Sequence, residues 1–167
     1  LLAKPRSAGE IINDLDEDVC GVFQVLRDRL QAAELERLLR LTPYAHAEFR
    51  LAYEPAGDPI ERARRTIIRS FMGHGSGCVT RAARHGFRRG KLTSRVRTPA
   101  TEWATYPDAI EAFVERLQGV IIESRDAIDV IQIYDAPGVL HYVDPPYLAD
   151  VRGPDKRYAH EMTDDDH

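Results

Sequence analysis

Cysteine, methionine and tryptophan are scarce in this chain, at two, two and one among 167 residues. Cys20 and Cys78 stand far apart and without the close spacing of zinc ligands. That excludes a disulfide-stapled scaffold and a zinc module, and both read as reduced thiols, with no metal expected. Long apolar runs are missing as well. Nothing approaches the ~20 residues of a membrane span, and the first residues lack the charged-then-apolar layout of a signal peptide, so a cytoplasmic protein with no membrane partner is expected. Acids are missing from one place. Between Arg62 and Arg97 the chain carries eleven bases and no Asp or Glu, while the remainder has 12 bases against 27 acids, so a net charge of −4 conceals −15 outside that block. The asymmetry points to a polyanion-binding surface on an acidic scaffold; the competing reading is a solvated arginine-rich helix and loop, whose like charges would repel one another.

With 43% hydrophobic and 30% charged residues, the length suits one globular domain with at most a small appendage. Residues 10–14, "EIIND", read as a short strand. A helix follows in "LDEDVCGVFQVLRD", where Val19, Val22, Phe23 and Leu26 recur at helical spacing and Asp16, Glu17 and Asp18 suit the first turn, with Cys20 on the apolar face. A second helix runs from about Gln31 to Leu41, with Leu35, Leu38 and Leu39 inward and Pro43 as its stop. Asp58-Pro59 reads as an N-cap and first helical residue, and Ile60, Ala63, Ile67 and Phe71 form that helix's apolar face. Periodicity vanishes over 72–99, a glycine-rich basic stretch that reads as loops with one hairpin at most. It returns as a helix in "YPDAIEAFVERLQG", a strand in "VIIES" and a short helix starting near Asp126.

Residues 139–148, "VLHYVDPPYL", come next. Val139, Leu140, Tyr142 and Val143 read as a buried strand entered through the turn Pro137-Gly138. Pro145 and Pro146 must end it, because neither has a backbone N–H and Pro145 biases Asp144 towards an extended conformation. Two readings stand at this point: a rigid turn with a solvated carboxylate, or a ligand-binding strand end of an α/β sheet. Asp14 ends one expected strand, Asp126 follows a second and Asp144 ends a third, and parallel strands joined by helices would bring all three to one edge.

"HYVDPPYL" resembles the catalytic motif of the amino-methylating DNA methyltransferases. "EIINDLDEDVCGVFQVLRD" is similar to the segment after the second strand of the Dam-type, alpha-group N6-adenine enzymes, and "IIESRDAIDVIQIYDAPGVLHYVDPPY" to the approach to that motif. The resemblance covers nearly the whole chain. It implies an α/β fold with a partial Rossmann-like S-adenosylmethionine-binding sheet and a helical and basic loop insertion, and a reaction in which adenine is flipped from double-stranded DNA and its N6 amine takes a methyl group from S-adenosylmethionine. By the same resemblance, the Asp144 carboxylate and the Pro145 carbonyl each accept an amino hydrogen, Pro146 stiffens the turn, and Tyr147 stacks on the base. Asp14 matches the acid that binds the cofactor's ribose hydroxyls. Asp126 falls beside the cofactor's adenine, with N-capping of the next helix as the alternative.

The basic block fits the family's target-recognition region. Arg84, Arg88, Arg89, Lys91 and Arg95 are the expected phosphate or base contacts. Phe87 in "HGFRR" is either a wedge or stacking residue, or a hydrophobic anchor beneath a hairpin. The expected division is residues 1–43 with 104–167 as catalytic domain and 44–103 as inserted recognition region. One feature departs from the family pattern. The glycine-rich F-x-G-x-G loop should precede "NDLD" and does not; "FMGHG" at 71–75 fits literally but follows a helix, whereas a nucleotide loop follows a strand. With Thr163 also resembling the cap of a helix that does not continue, an internal fragment of a larger enzyme is expected. N4-cytosine methylation and a non-catalytic DNA-binding remnant are the alternatives, and a cognate restriction enzyme is left open as a partner.

Overall fold

The computed structural model describes residues 4–74, 86–90, 98–146, 160 and 162. Among these the chain is mixed α/β, with a two-stranded parallel sheet and helices around one core. Strand β1 (Glu10–Asn13) pairs in register with β2 (Val120–Glu123), Glu10 opposite Val120 and Asn13 opposite Glu123. Between them run α1 (Glu17–Leu26), α2 (Arg29–Leu41), α3 (His46–Leu51), α4 (Pro59–Met72), α5 (Pro99–Thr105), a 3-10 turn (Tyr106–Ala109) and α6 (Ile110–Leu117); α7 (Ala127–Tyr134) follows β2. Of the described helices, none is long and apolar enough to cross a membrane.

Local chemistry sets the helix starts. Asp16, Asp28, Asp58, Thr98 and Asp126 each accept a backbone N–H of the following first turn, and Pro59 and Pro99 stand where a missing N–H costs nothing. The apolar faces then meet: Val25, Leu26, Leu35, Leu39, Ala63, Ile67, Ile68 and Met72 are buried together. Trp103 of α5 joins them, its indole N–H donating to the Thr42 carbonyl at 2.7 Å. Phe71, Trp103 and Tyr106 form a ring cluster with centroids 5.2–5.7 Å apart. The sheet is tied to α6 by a two-point ion pair between Glu10 and Arg116, at 2.6 and 2.9 Å. Arg116, with Lys4 beside it, holds the Glu10 carboxyl well below the usual carboxylate range.

Two expectations are corrected. Residues 139–143 form no strand: the chain from Asp135 to Pro146 is coil, with Val139, Leu140, Tyr142 and Val143 exposed. β-propensity reports how a residue fits a paired, half-buried surface, and among the described residues no strand lies alongside this stretch to supply one. The stretch is organised locally instead, by a turn with Gly138 at φ +91° and a Val139 N–H to Ala136 carbonyl bond of 3.0 Å. The second concerns only the charge balance of the arginine block, not its expected partner. Three of its α4 members are paired with acids from outside the block. Arg64 reaches Glu61 at 2.7 Å and Glu48 at 3.0 Å, Arg65 reaches Glu61 at 2.7 Å, and Arg69 reaches Asp18 at 2.8 Å. These three arginines have acidic partners in space although no acid stands between them in sequence.

Helices α3 and α5 were not expected. α3 is six residues long with no side-chain cap and one buried residue, Phe49, so it has too little pattern to read. α5 did carry a signal: Thr98-Pro99 repeats the cap-and-proline grammar of Asp58-Pro59.

Candidate functional site

The carboxyl ends of β1 and β2 meet at one edge, because the strands are parallel and in register. Asp14 follows β1, and its N–H makes a long bond of 3.4 Å to the Glu123 carbonyl. Its carboxylate accepts the Asp16 N–H at 2.8 Å, while Asp16 in turn caps α1. Cys20, buried in the first turns of α1, lies beneath this edge with its thiol 3.1 Å from the Asp14 carbonyl. Asp126 follows β2 by three residues and caps α7 through the Ile128 N–H at 2.8 Å. Asn13 links the two ends: its amide donates to the Arg125 carbonyl at 2.9 Å and accepts the Arg125 N–H at 3.1 Å.

Asp14 is half-buried, and burial pushes its carboxyl above the usual value, with the Asp16 charge adding to the rise while the hydrogen bond from Asp16 and the nearby His160 oppose it. An acid whose folded pKa is raised stabilises the fold most below the unfolded value and loses that contribution as pH rises through the folded one. Asp14→Asn keeps an acceptor for the Asp16 N–H and removes the charge. Its melting temperature is therefore expected to exceed the parent's at pH 7, with the gap closing on acidification. Thermal melts across that range check this, and a lower melting point at pH 7 would contradict it.

The third acid has a different setting. Asp144 and Pro145 are exposed and Pro146 half-buried in the coil after α7, so Asp14 and Asp126 follow paired strands whereas Asp144 ends none. His141 turns back towards the start of that coil, its Nε2 lying 3.4 Å from Asp135. Tyr147 lies outside the described residues.

The expected DNA contacts divide similarly. Arg84, Lys91 and Arg95 lie outside the described residues. Phe87 returns beside the end of α4 through an antiparallel bridge to Gly73, with the Arg88 N–H donating to the Met72 carbonyl at 2.7 Å. Its ring packs on Tyr44, His46 and Phe49, with centroids 5.1–5.7 Å away. That is the anchor of the two alternatives. Arg88 is committed to Glu102 at 3.0 Å and lies 5.9 Å over the Phe71 ring. Arg89 is exposed. Gly90 has φ +70°, and a Cβ there would come within 2.6 Å of Pro99, so only glycine fits both the turn and the close approach.

Sequence reading missed three residues at these places: Asn13, Tyr44 and Glu102. Asn13 carried a signal, since it stands at the end of a strand immediately before Asp14. Tyr44 donates its hydroxyl to the Arg88 carbonyl, and Glu102 pairs with Arg88, contacts between distant residues that no local pattern announces. Among the described residues no group of three or more His, Cys, Asp or Glu is placed to hold a metal ion. No protein-family model matches the chain, and no curated protein matches it.

Proposed function

We propose that this chain belongs to an S-adenosylmethionine-dependent DNA methyltransferase acting on the exocyclic N6 amine of adenine. The observation that carries the reading is the pair of carboxylates, Asp14 and Asp126, at the carboxyl edge of a parallel sheet, upstream of Asp144-Pro145-Pro146-Tyr147. Ligands of α/β sheets bind at that edge. The two parallel strands and their connecting helices are compatible with part of a Rossmann-like sheet.

The residues suit the cofactor's ribose. A carboxylate has about four lone-pair sites, and the Asp16 N–H uses one at Asp14, so capacity remains for hydroxyl donors. Asp126 keeps a second oxygen beyond the one that caps α7. When bound, S-adenosylmethionine supplies the electrophilic methyl group. The chain's own residues do the rest. Asp144 and the Pro145 carbonyl accept the two amino hydrogens of the target, favouring a nitrogen with an available lone pair, and Tyr147 stacks on the flipped base. Arg89, with Arg84, Lys91 and Arg95, holds the duplex, and Phe87 anchors the segment that carries Arg88 and Arg89.

Methylation of adenine-containing duplexes with labelled S-adenosylmethionine, followed by nucleoside analysis, tests this. N6-methyladenine is the expected product; N4-methylcytosine would transfer the reading to the cytosine enzymes, and DNA binding without product to a non-catalytic DNA-binding protein. Duplex binding has its own signature. Arg89→Ala is expected to flatten the slope of log affinity against log salt by about 0.9 for one lost phosphate contact. An unchanged slope would mean that Arg89 faces only solvent.

A further inference from the structure

We propose that Asn13 is a positioning residue that sets the spacing of Asp14 and Asp126; the inference rests on their assignment to S-adenosylmethionine. The backbone ladder runs out at this point. Its last pair is Asn13 opposite Glu123, followed by the long Asp14 N–H bond to the Glu123 carbonyl. Past Glu123 the chain leaves the sheet through Ser124 and Arg125 and enters α7 at Asp126. The Asn13 side chain takes over, donating to the Arg125 carbonyl and accepting the Arg125 N–H at 2.9 and 3.1 Å. It thereby offers Arg125 the donor and acceptor that another strand residue would have offered.

The identity of the residue matters for this. A side-chain amide has both a donor and an acceptor, whereas the isosteric carboxylate has only acceptors and would meet the Arg125 carbonyl with like partial charge. Glutamine carries the same groups one methylene further out. Asn13 immediately precedes Asp14, and Arg125 immediately precedes Asp126, so the clamp joins the neighbours of both carboxylates. Cys20 supports the junction from below, with its thiol 3.1 Å from the Asp14 carbonyl and 3.7 Å from that of Glu123. A pair of carboxylates held at fixed separation before the ligand arrives loses less freedom on binding it.

A double-mutant cycle separates positioning from simple support of the sheet. S-adenosylmethionine is titrated calorimetrically into the complete enzyme as parent, and into its Asn13→Ala, Asp126→Ala and double variants, with thermal melts of each. Asn13→Ala is expected to weaken binding about ten-fold in the parent, the order that one to two net hydrogen bonds are worth, and to have little further effect once Asp126 is gone. Asn13→Asp, which retains the acceptor but sets a carboxylate against the Arg125 carbonyl, should weaken binding at least as much as Asn13→Ala, and it carries the cycle if the alanine variant does not fold. Equal losses in both backgrounds, or no loss in the parent, would overturn the positioning role alone. A folded parent that takes up no S-adenosylmethionine would overturn the cofactor assignment and this inference with it.

Discussion

In the complete enzyme, Asp144→Ala is expected to abolish methyl transfer to adenine while leaving the fold and the affinity for duplex DNA in place. Asp144 is exposed in the coil after α7, so its removal opens no cavity and unpairs no buried group. Exposed substitutions of that kind usually change stability by no more than about 0.5 kcal/mol. A lost activity therefore cannot be blamed on lost packing. Under the competing reading, in which Asp-Pro-Pro is a rigid turn, turnover would be unaffected. Tyr147→Ala should be milder, because stacking on a base is worth about 1–3 kcal/mol, and Tyr147→Phe should keep most activity because the ring face does the stacking. Labelled-methyl incorporation measured beside thermal melts decides the matter; near-normal turnover by folded Asp144→Ala would remove the motif from the mechanism.

The second large effect is on stability, at the ion pair between α4 and α1. Arg69 is 1% exposed and donates to the Ala52 carbonyl, to Thr66 and to Asp18, whose own side chain is 8% exposed. Truncating one partner of such a pair leaves the other charge desolvated, and Arg69→Ala should cost about 3–5 kcal/mol in urea unfolding. Replacing both partners together, as Arg69→Met with Asp18→Leu, should recover much of that, since apolar groups of similar volume remove the desolvation cost as well as the attraction. If Arg69→Ala unfolds at the parent's midpoint, the pair is only a surface-type bridge, contrary to its burial.

What could be read in advance follows from the range of the interactions. The helices α1, α2, α4 and α6 and both strands were legible because their signals are local: apolar side chains at i, i+3 and i+4, aspartates at the N-caps, and short apolar runs at 10–13 and 120–123. Asp14 and Asp126 were legible as an edge pair for the same reason. The stretch 139–143 misled because β-branched and aromatic residues mark only a capacity for pairing, and the described residues offer it no neighbour. Charge pairing was the least legible feature. Glu61 directly precedes the arginine block and takes two of its members, yet Asp18 lies 51 positions from Arg69 and Glu102 lies 14 from Arg88. Phe87 shows the same limit: its ring packs on Tyr44, His46 and Phe49, roughly forty residues earlier in the chain.

The parallel pairing of β1 with β2 has a consequence for how the chain is made. The clamp between Asn13 and Arg125 joins residues 112 positions apart. A ribosome adding about 5–20 residues per second needs roughly 5–20 s to cover that distance. For much of that interval Ile11 and Ile12 lack β2, the strand they pair with in the fold, while the local helices α1 and α2 have had ample time to form. The proposed cofactor edge thus closes only after the helices between its two strands have been made, and production of the protein should gain most from slower synthesis or from chaperones that shield short apolar strands.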